Sequence, residues 1–114
     1  MNIGVTVLGA GSWGTTVAHL AASNVPTVLW ARDPQVAEDI NRDHVNRRYL
    51  DGYDLNPDLR AKTDLPAAVA AADVLVMGVP SNAFRQSLEA AQPYLRAWVP
   101  VVSLAKGFEA SSHK

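Results

Sequence analysis

A chain of 114 residues, 48% apolar and 18% charged, can bury one well-formed core and not two. Its formal net charge of −1 provides no global basic field for phosphate backbones or anionic lipid, which argues against nucleic-acid and membrane partners. The absence of cysteine removes disulfides, thiolate zinc sites and cysteine nucleophiles together, and suits a reducing cytoplasm.

The amino terminus lacks the basic flank, apolar stretch and cleavage site of a signal peptide, and Ile3 to Leu8 reads as a first strand. The alanine-rich stretch from Trp13 to Ser23 predicts a helix able to lie close to a sheet. Thr27 to Trp30 is a second strand. Asp33-Pro34 then starts a helix to about Arg42, because aspartate oxygen caps free amides and proline is tolerated in the first turn. From His44 to Pro57 no period is sustained and turn-forming residues accumulate, which predicts a long loop. Leu59 to Thr63 is a weak strand, Asp64 caps a helix over Leu65 to Ala72, and Val74 to Val79 is a buried strand. A helix from Ser81 to about Gln92 follows, then a connector between Pro93 and Pro100, and Val101 to Leu104 is a last strand. No window approaches the ~18 apolar residues of a membrane-spanning helix.

Alternating strands and helices without repeats or linkers predict right-handed crossovers. The expected fold class is α/β, a doubly wound parallel sheet occupying residues 1–114.

Gly9-Ala10-Gly11-Ser12-Trp13-Gly14 is G-x-G-x-x-G set between the first strand and first helix, where the fingerprint of a Rossmann dinucleotide-binding domain belongs. Gly9 would permit the tight turn, Gly11 would admit a pyrophosphate to the backbone, and Gly14 would let helix and strand pack closely. The free amides and dipole of the helix start then face the anion. Ser12 is placed beside the phosphates and Trp13 as a lid over the cleft, although both could be packing residues of a ligand-free turn.

At the end of the second strand an acid would bind a ribose 2′-hydroxyl, whereas an arginine can pair with a 2′-phosphate or stack on adenine. Arg32 holds that place and Asp33 is assigned to capping, so NADP should be accepted without excluding NAD; a solvated surface arginine is the alternative. Val79-Pro80-Ser81 and Leu104-Ala105-Lys106-Gly107 end strands at the carboxyl edge, where ligand crevices lie. Lys106 could meet a substrate phosphate or carbonyl, or be merely solvated. His19, His44 and His113 have no ligand spacing, so no metal site is expected. Arg42, Arg47 and Arg48 read as a solvated basic face with a lesser claim to a phosphate contact, and Trp30 and Trp98 as core.

In combination, Gly-Ala-Gly-Ser-Trp-Gly-Thr, Leu-Trp-Ala-Arg-Asp-Pro, Asn46-Arg47-Arg48-Tyr49-Leu50, Val-Pro-Ser and Ser103-Leu104-Ala105-Lys106-Gly107-Phe108-Glu109 resemble bacterial NAD(P)-dependent glycerol-3-phosphate dehydrogenases across essentially the whole chain. The resemblance implies reversible hydride transfer between NAD(P)H and dihydroxyacetone phosphate, yielding sn-glycerol 3-phosphate for phospholipid synthesis, in a cytoplasmic protein that could be a homodimer at full length. It also implies that Ser12, Trp13, Arg32 and Tyr49 contact the cofactor and that Lys106 touches cofactor and substrate, while the acid/base lysine belongs to a helical second domain absent from these residues. The chain alone would then bind dinucleotide weakly and not turn over. The competing readings are a ketopantoate or 6-phosphogluconate type of dehydrogenase, against which Leu-Ala-Lys-Gly-Phe-Glu argues, and a non-catalytic dinucleotide-binding or sensing module. A methyltransferase fits poorly, since its loop is G-x-G-x-G.

Overall fold

The β-branched runs at the centre of the sheet become strands because both of their faces are covered, and the helical runs between them do the covering, while the two edge strands stay largely exposed. The computed structural model describes residues 3–79 and 81–103, Ser81 by its backbone alone. In chain order the elements are β1 (Val5–Leu8), α1 (Ser12–Ala21), β2 (Thr27–Trp30), α2 (Pro34–Asp43), β3 (Arg60–Lys62), α3 (Leu65–Ala70), β4 (Val74–Met77), α4 (Ser81–Ala91), a 3-10 turn (Gln92–Tyr94) and β5 (Val101–Ser103). Every paired neighbour is parallel and the five strands lie in the order β3-β2-β1-β4-β5. β1 therefore has β2 on one side and β4 on the other, and the chain reverses its direction of winding between β1 and β4. In an open α/β sheet that reversal opens a crevice at the carboxyl ends of the strands.

The two faces carry separate cores. Val7 and its register partner Val76 join Leu29, Val36, Ile40 and Ala18 in one cluster, with α1 and α2. Leu8, Leu75 and Met77 join Val69, Ala72 and Ala91 in the other, with α3 and the end of α4. Adjacent residues of one strand point to opposite faces, so these assignments place the helices on both sides of the sheet, as expected for a doubly wound fold. Thr6 Oγ1 donates to the Ala68 carbonyl (2.8 Å), which ties α3 to the centre of β1.

Helix boundaries follow their caps. Asp33 accepts from the Gln35 amide (2.9 Å) with Pro34 in the first turn, and α2 ends where His44 takes a left-handed φ of 58°. Asp64 accepts from the Ala67 amide (3.1 Å) at the start of α3. Asn41 then reaches from α2 to β3, donating to the Ala61 carbonyl (2.9 Å) and accepting its amide (2.8 Å), so this short edge strand is held by a side chain as well as by β2. Asp73 binds the starts of β1 and β4 together: its carboxylate accepts from the Gly4 amide (2.7 Å) and faces Arg96 (3.0 Å). The Gly4 amide foremost, and then the Arg96 guanidinium, hold this carboxyl below the usual aspartate range.

One expectation needs correction. Trp98 is not core; it is 64% exposed, with the Arg96 guanidinium 4.6 Å from its ring centroid, and neighbouring Val99 takes the buried place. The stretch from His44 to Pro57 is a loop, as its composition suggests, and Asn46 inside it is fully buried and bridges to Leu50. Trp30, by contrast, packs against the second core cluster and donates its indole N–H to the Thr63 carbonyl (2.9 Å). No helix among the described residues is long and apolar enough to cross a membrane.

Candidate cofactor site

The turn between β1 and α1 lies at the reversal point of the sheet, and its three glycines meet three different physical demands. Gly9 has φ 106°, a left-handed conformation that side chains rarely adopt, and a Cβ there would meet Val79 Cγ1 at 2.9 Å. Gly14 lies against the turn itself: a Cβ would overlap the Gly9 carbonyl oxygen and come within 3.2 Å of its carbon. Gly11 is the opposite case, with nothing within 4 Å of where its Cβ would be. Sterics thus explain the outer two glycines, while the middle one borders open space.

Gly78 adds a fourth member that sequence reading missed. A Cβ on it would lie 3.0 Å from Gly14 Cα and 3.2 Å from the Leu8 carbonyl oxygen. Its amide donates to that carbonyl (2.8 Å). β4 consequently ends at Met77 rather than Val79, since the backbone must thread past α1. A glycine inside the expected strand Val74 to Val79 was the available signal, because such a glycine often marks close backbone approach.

Gly11 is the N-cap of α1 in an extended conformation, with no side-chain cap and no acid in the first turn, whereas α2 and α3 each begin with a capping aspartate. A helix start without a side-chain acceptor presents free amides and a positive dipole end, which is the electrostatic requirement for binding an anion. Beside it opens a cleft of about 530 Å³ lined by Gly9, Ala10 and Gly11 on one side, by Trp30, Ala31, Arg32, Asp33, Pro34 and Val36 from β2 and α2, and by Arg48, Tyr49 and Val79. That volume falls within the range of about 300–1,000 Å³ usual for small-molecule sites.

Of the site residues expected from sequence, Gly9, Gly11, Arg32 and Tyr49 line this one cleft. Ser12 and Trp13 are exposed in the first turn of α1. Trp13 is 53% exposed and is not among the residues lining the cleft, so the structure does not close it over the opening as a lid. Gly14 lies behind the wall, where its role is steric. Lys106 lies outside the described residues, as does Pro80 between the end of β4 and α4.

The arginine cluster divides. Arg42 and Arg47 pair with Glu38, Asp39 and Asp43 along α2; hydrogen bonds with Arg42 and Arg47 hold the Asp43 carboxyl below its usual range. Arg48 instead reaches Asp33 (2.7 Å) and faces the cleft. No group of three His, Asp or Glu side chains suited to a metal occurs among the described residues.

Asn46 connects the two walls. Its Nδ2 donates to the Ala10 carbonyl (2.9 Å) and to Thr15 Oγ1 (2.8 Å), and its Oδ1 accepts from the Tyr49 amide (3.2 Å). Thr15 Oγ1 donates to the same Ala10 carbonyl (3.2 Å). The glycine turn is therefore oriented from below by a residue 36 positions away. Asn46→Ala removes all three of its hydrogen bonds and leaves the Tyr49 amide without its acceptor, while Thr15 and Ala10 keep the bond between them, and a loss of about 1–3 kcal/mol is expected. Urea unfolding of the variant against the parent measures it; an unchanged midpoint and slope would mean the latch carries no stability.

The residues present fit a dinucleotide: the bare Gly11 backbone and the helix start suit a pyrophosphate, and Arg32 and Tyr49 line the same cleft. Residues 4–114 match the family model for the N-terminus of NAD-dependent glycerol-3-phosphate dehydrogenase. The chain is 55% identical over its whole length to a glycerol-3-phosphate dehydrogenase [NAD(P)+] of Sphingopyxis alaskensis, of which it covers 34%. It is 55% identical over 107 residues to the Mycobacterium avium enzyme of that name, covering 31% of it. The chain thus spans about a third of the length of the curated relatives it matches. Among solved structures it is similar to glycerol-3-phosphate dehydrogenase of Coxiella burnetii (TM-score 0.80, 32% identity, covering 93% of this chain and 34% of that one). The Saccharomyces cerevisiae enzyme is also similar (TM-score 0.83, 28% identity, covering 90% and 33%).

Proposed function

Since the chain belongs to the family of NAD-dependent glycerol-3-phosphate dehydrogenase N-terminal regions, we propose that residues 1–114 form the domain that binds and orients NAD(P) for that reaction. The observation that carries this reading is the helix start of α1, without a side-chain cap and with open space at Gly11, beside a cleft that also holds Arg32. Gly9 and Gly11 bring the backbone to the pyrophosphate, Ser12 and Trp13 flank it, and Arg32 and Tyr49 receive the adenosine end. Lys106, outside the described residues, would touch both cofactor and substrate, as the family resemblance implies. When bound, the nicotinamide supplies or accepts the hydride exchanged with dihydroxyacetone phosphate and sn-glycerol 3-phosphate. The chain's own part is to fix that ring at the carboxyl edge of the sheet and to neutralise the phosphates.

In the full-length protein this makes the domain one part of a two-substrate oxidoreductase, which could assemble as a homodimer and serve phospholipid synthesis. A net charge of −1 and the absence of cysteine support a cytoplasmic protein with small-molecule rather than nucleic-acid partners.

Trp30 lines the cleft, so its fluorescence reports occupancy. Titrating the chain with NADPH and NADH should give saturable quenching by both. Arg32→Ala should weaken NADPH about tenfold or more, on the worth of a charge-assisted hydrogen bond, and NADH much less. Failure of either dinucleotide to saturate the wild-type signal or to bind by calorimetry would overturn the reading, and equal loss for both would remove Arg32 from the 2′-phosphate.

A further inference from the structure

We infer that Arg48 is a specificity-determining residue of the dinucleotide site, the second cation for a ribose 2′-phosphate, held at the cleft mouth by Asp33; the inference rests on the cofactor reading above. An acid near the end of β2 would ordinarily favour a 2′-hydroxyl and repel a phosphate. Here both oxygens of Asp33 are engaged: Oδ1 accepts from the Gln35 amide (2.9 Å) and Oδ2 from Arg48 (2.7 Å). The ion pair cancels the repulsion and carries a guanidinium into the wall that also contains Arg32.

Only part of Arg48 is used by that pair. Its contact with Asp33 is through Nη1, its side chain remains 60% exposed, and a guanidinium has five donors in a planar fork suited to phosphate. Tyr49 lies beneath it, with the ring centroid 5.2 Å from Cζ. The backbone beneath both is fixed, since the Tyr49 and Leu50 amides donate to Asn46 and Asn46 is tied to the glycine turn. A phosphate held between Arg32 and Arg48 would therefore meet cations supplied by two different segments. Arg47 is a natural control, because it is turned to Asp39 and Asp43 on α2 and away from the cleft lining.

The test is calorimetric titration of the chain and its variants with NADPH, NADH and adenosine 2′,5′-bisphosphate, a probe that carries the 2′-phosphate without the nicotinamide. Arg48→Gln should weaken NADPH and the bisphosphate about tenfold while NADH changes less than about twofold, and Arg48→Lys should recover part of that loss. Arg47→Gln should leave all three unchanged. Equal losses of NADPH and NADH in Arg48→Gln, or undiminished NADPH binding, would overturn the assignment of Arg48 while leaving the cofactor reading intact. Wild-type chain that binds none of the probes would overturn both. Thermal unfolding of each variant separates lost folding from lost recognition.

Discussion

Gly14→Ala is expected to destabilise the chain by about 3 kcal/mol or more, at the upper end of overpacking effects. The added methyl group would meet backbone on more than one side. It overlaps the Gly9 carbonyl oxygen and approaches the Gly78 carbonyl oxygen (3.6 Å). Backbone cannot change rotamer to make room, and Gly9 is already committed to its positive φ of 106°. Relief would require α1 to move away from β1 and β4, opening the cluster in which Ala18 and Val7 are fully buried. Against a total stability of about 5–15 kcal/mol for a native domain, such a loss lowers the urea midpoint visibly and, at the lower end of that range, removes more than half of the stability. An unchanged midpoint would mean that the helix approaches the sheet less closely than this geometry requires.

How much of this was legible in the sequence depends on the range of the interaction concerned. Asp33-Pro34 and Asp64 announce α2 and α3 because a cap is a local bond, from Asp33 to Gln35 and from Asp64 to Ala67. The β-branched runs locate the three central strands within a residue or two, since burial on both faces selects composition directly. The exact ends were less readable: β1 begins at Val5 rather than Ile3, and β4 stops early beside Gly14. Trp98 shows the limit of reasoning from residue type, because a large aromatic is core only if the fold brings a second layer over it, and Arg96 covers it instead.

The site follows the same division. The fingerprint glycines could be found because their spacing is local, and the structure then distinguishes glycines required by sterics from one bordering open space. Asn46 and Arg48 could not be assigned from spacing. Asn46 acts on Ala10 across 36 residues and Arg48 on Asp33 across 15. Both lie in a stretch whose polar composition reads as loop, and only the path of the chain shows that one is buried and the other turned from its fellow arginines to the cleft.

Gly11→Val separates folding from binding, and it should lose dinucleotide affinity by about a hundredfold or more while folding normally. Nothing lies within 4 Å of the added Cβ, and the Gly11 backbone, φ −68° and ψ −180°, is available to any residue. Loss of glycine at an N-cap costs up to about 1 kcal/mol, so the urea midpoint should shift little. The branched side chain would, however, occupy the space through which a pyrophosphate reaches the amides of α1. Two hydrogen bonds to a charged group, at about 1.5 kcal/mol each by the lower estimate, amount to about 3 kcal/mol, and each 1.4 kcal/mol is tenfold. The contrast with Gly14→Ala is the informative part: two glycines three positions apart, one lost to stability and the other to ligand. If Gly11→Val bound NADPH and NADH as tightly as the wild type, the anion would have to sit elsewhere in the cleft, and the helix start of α1 would no longer account for recognition.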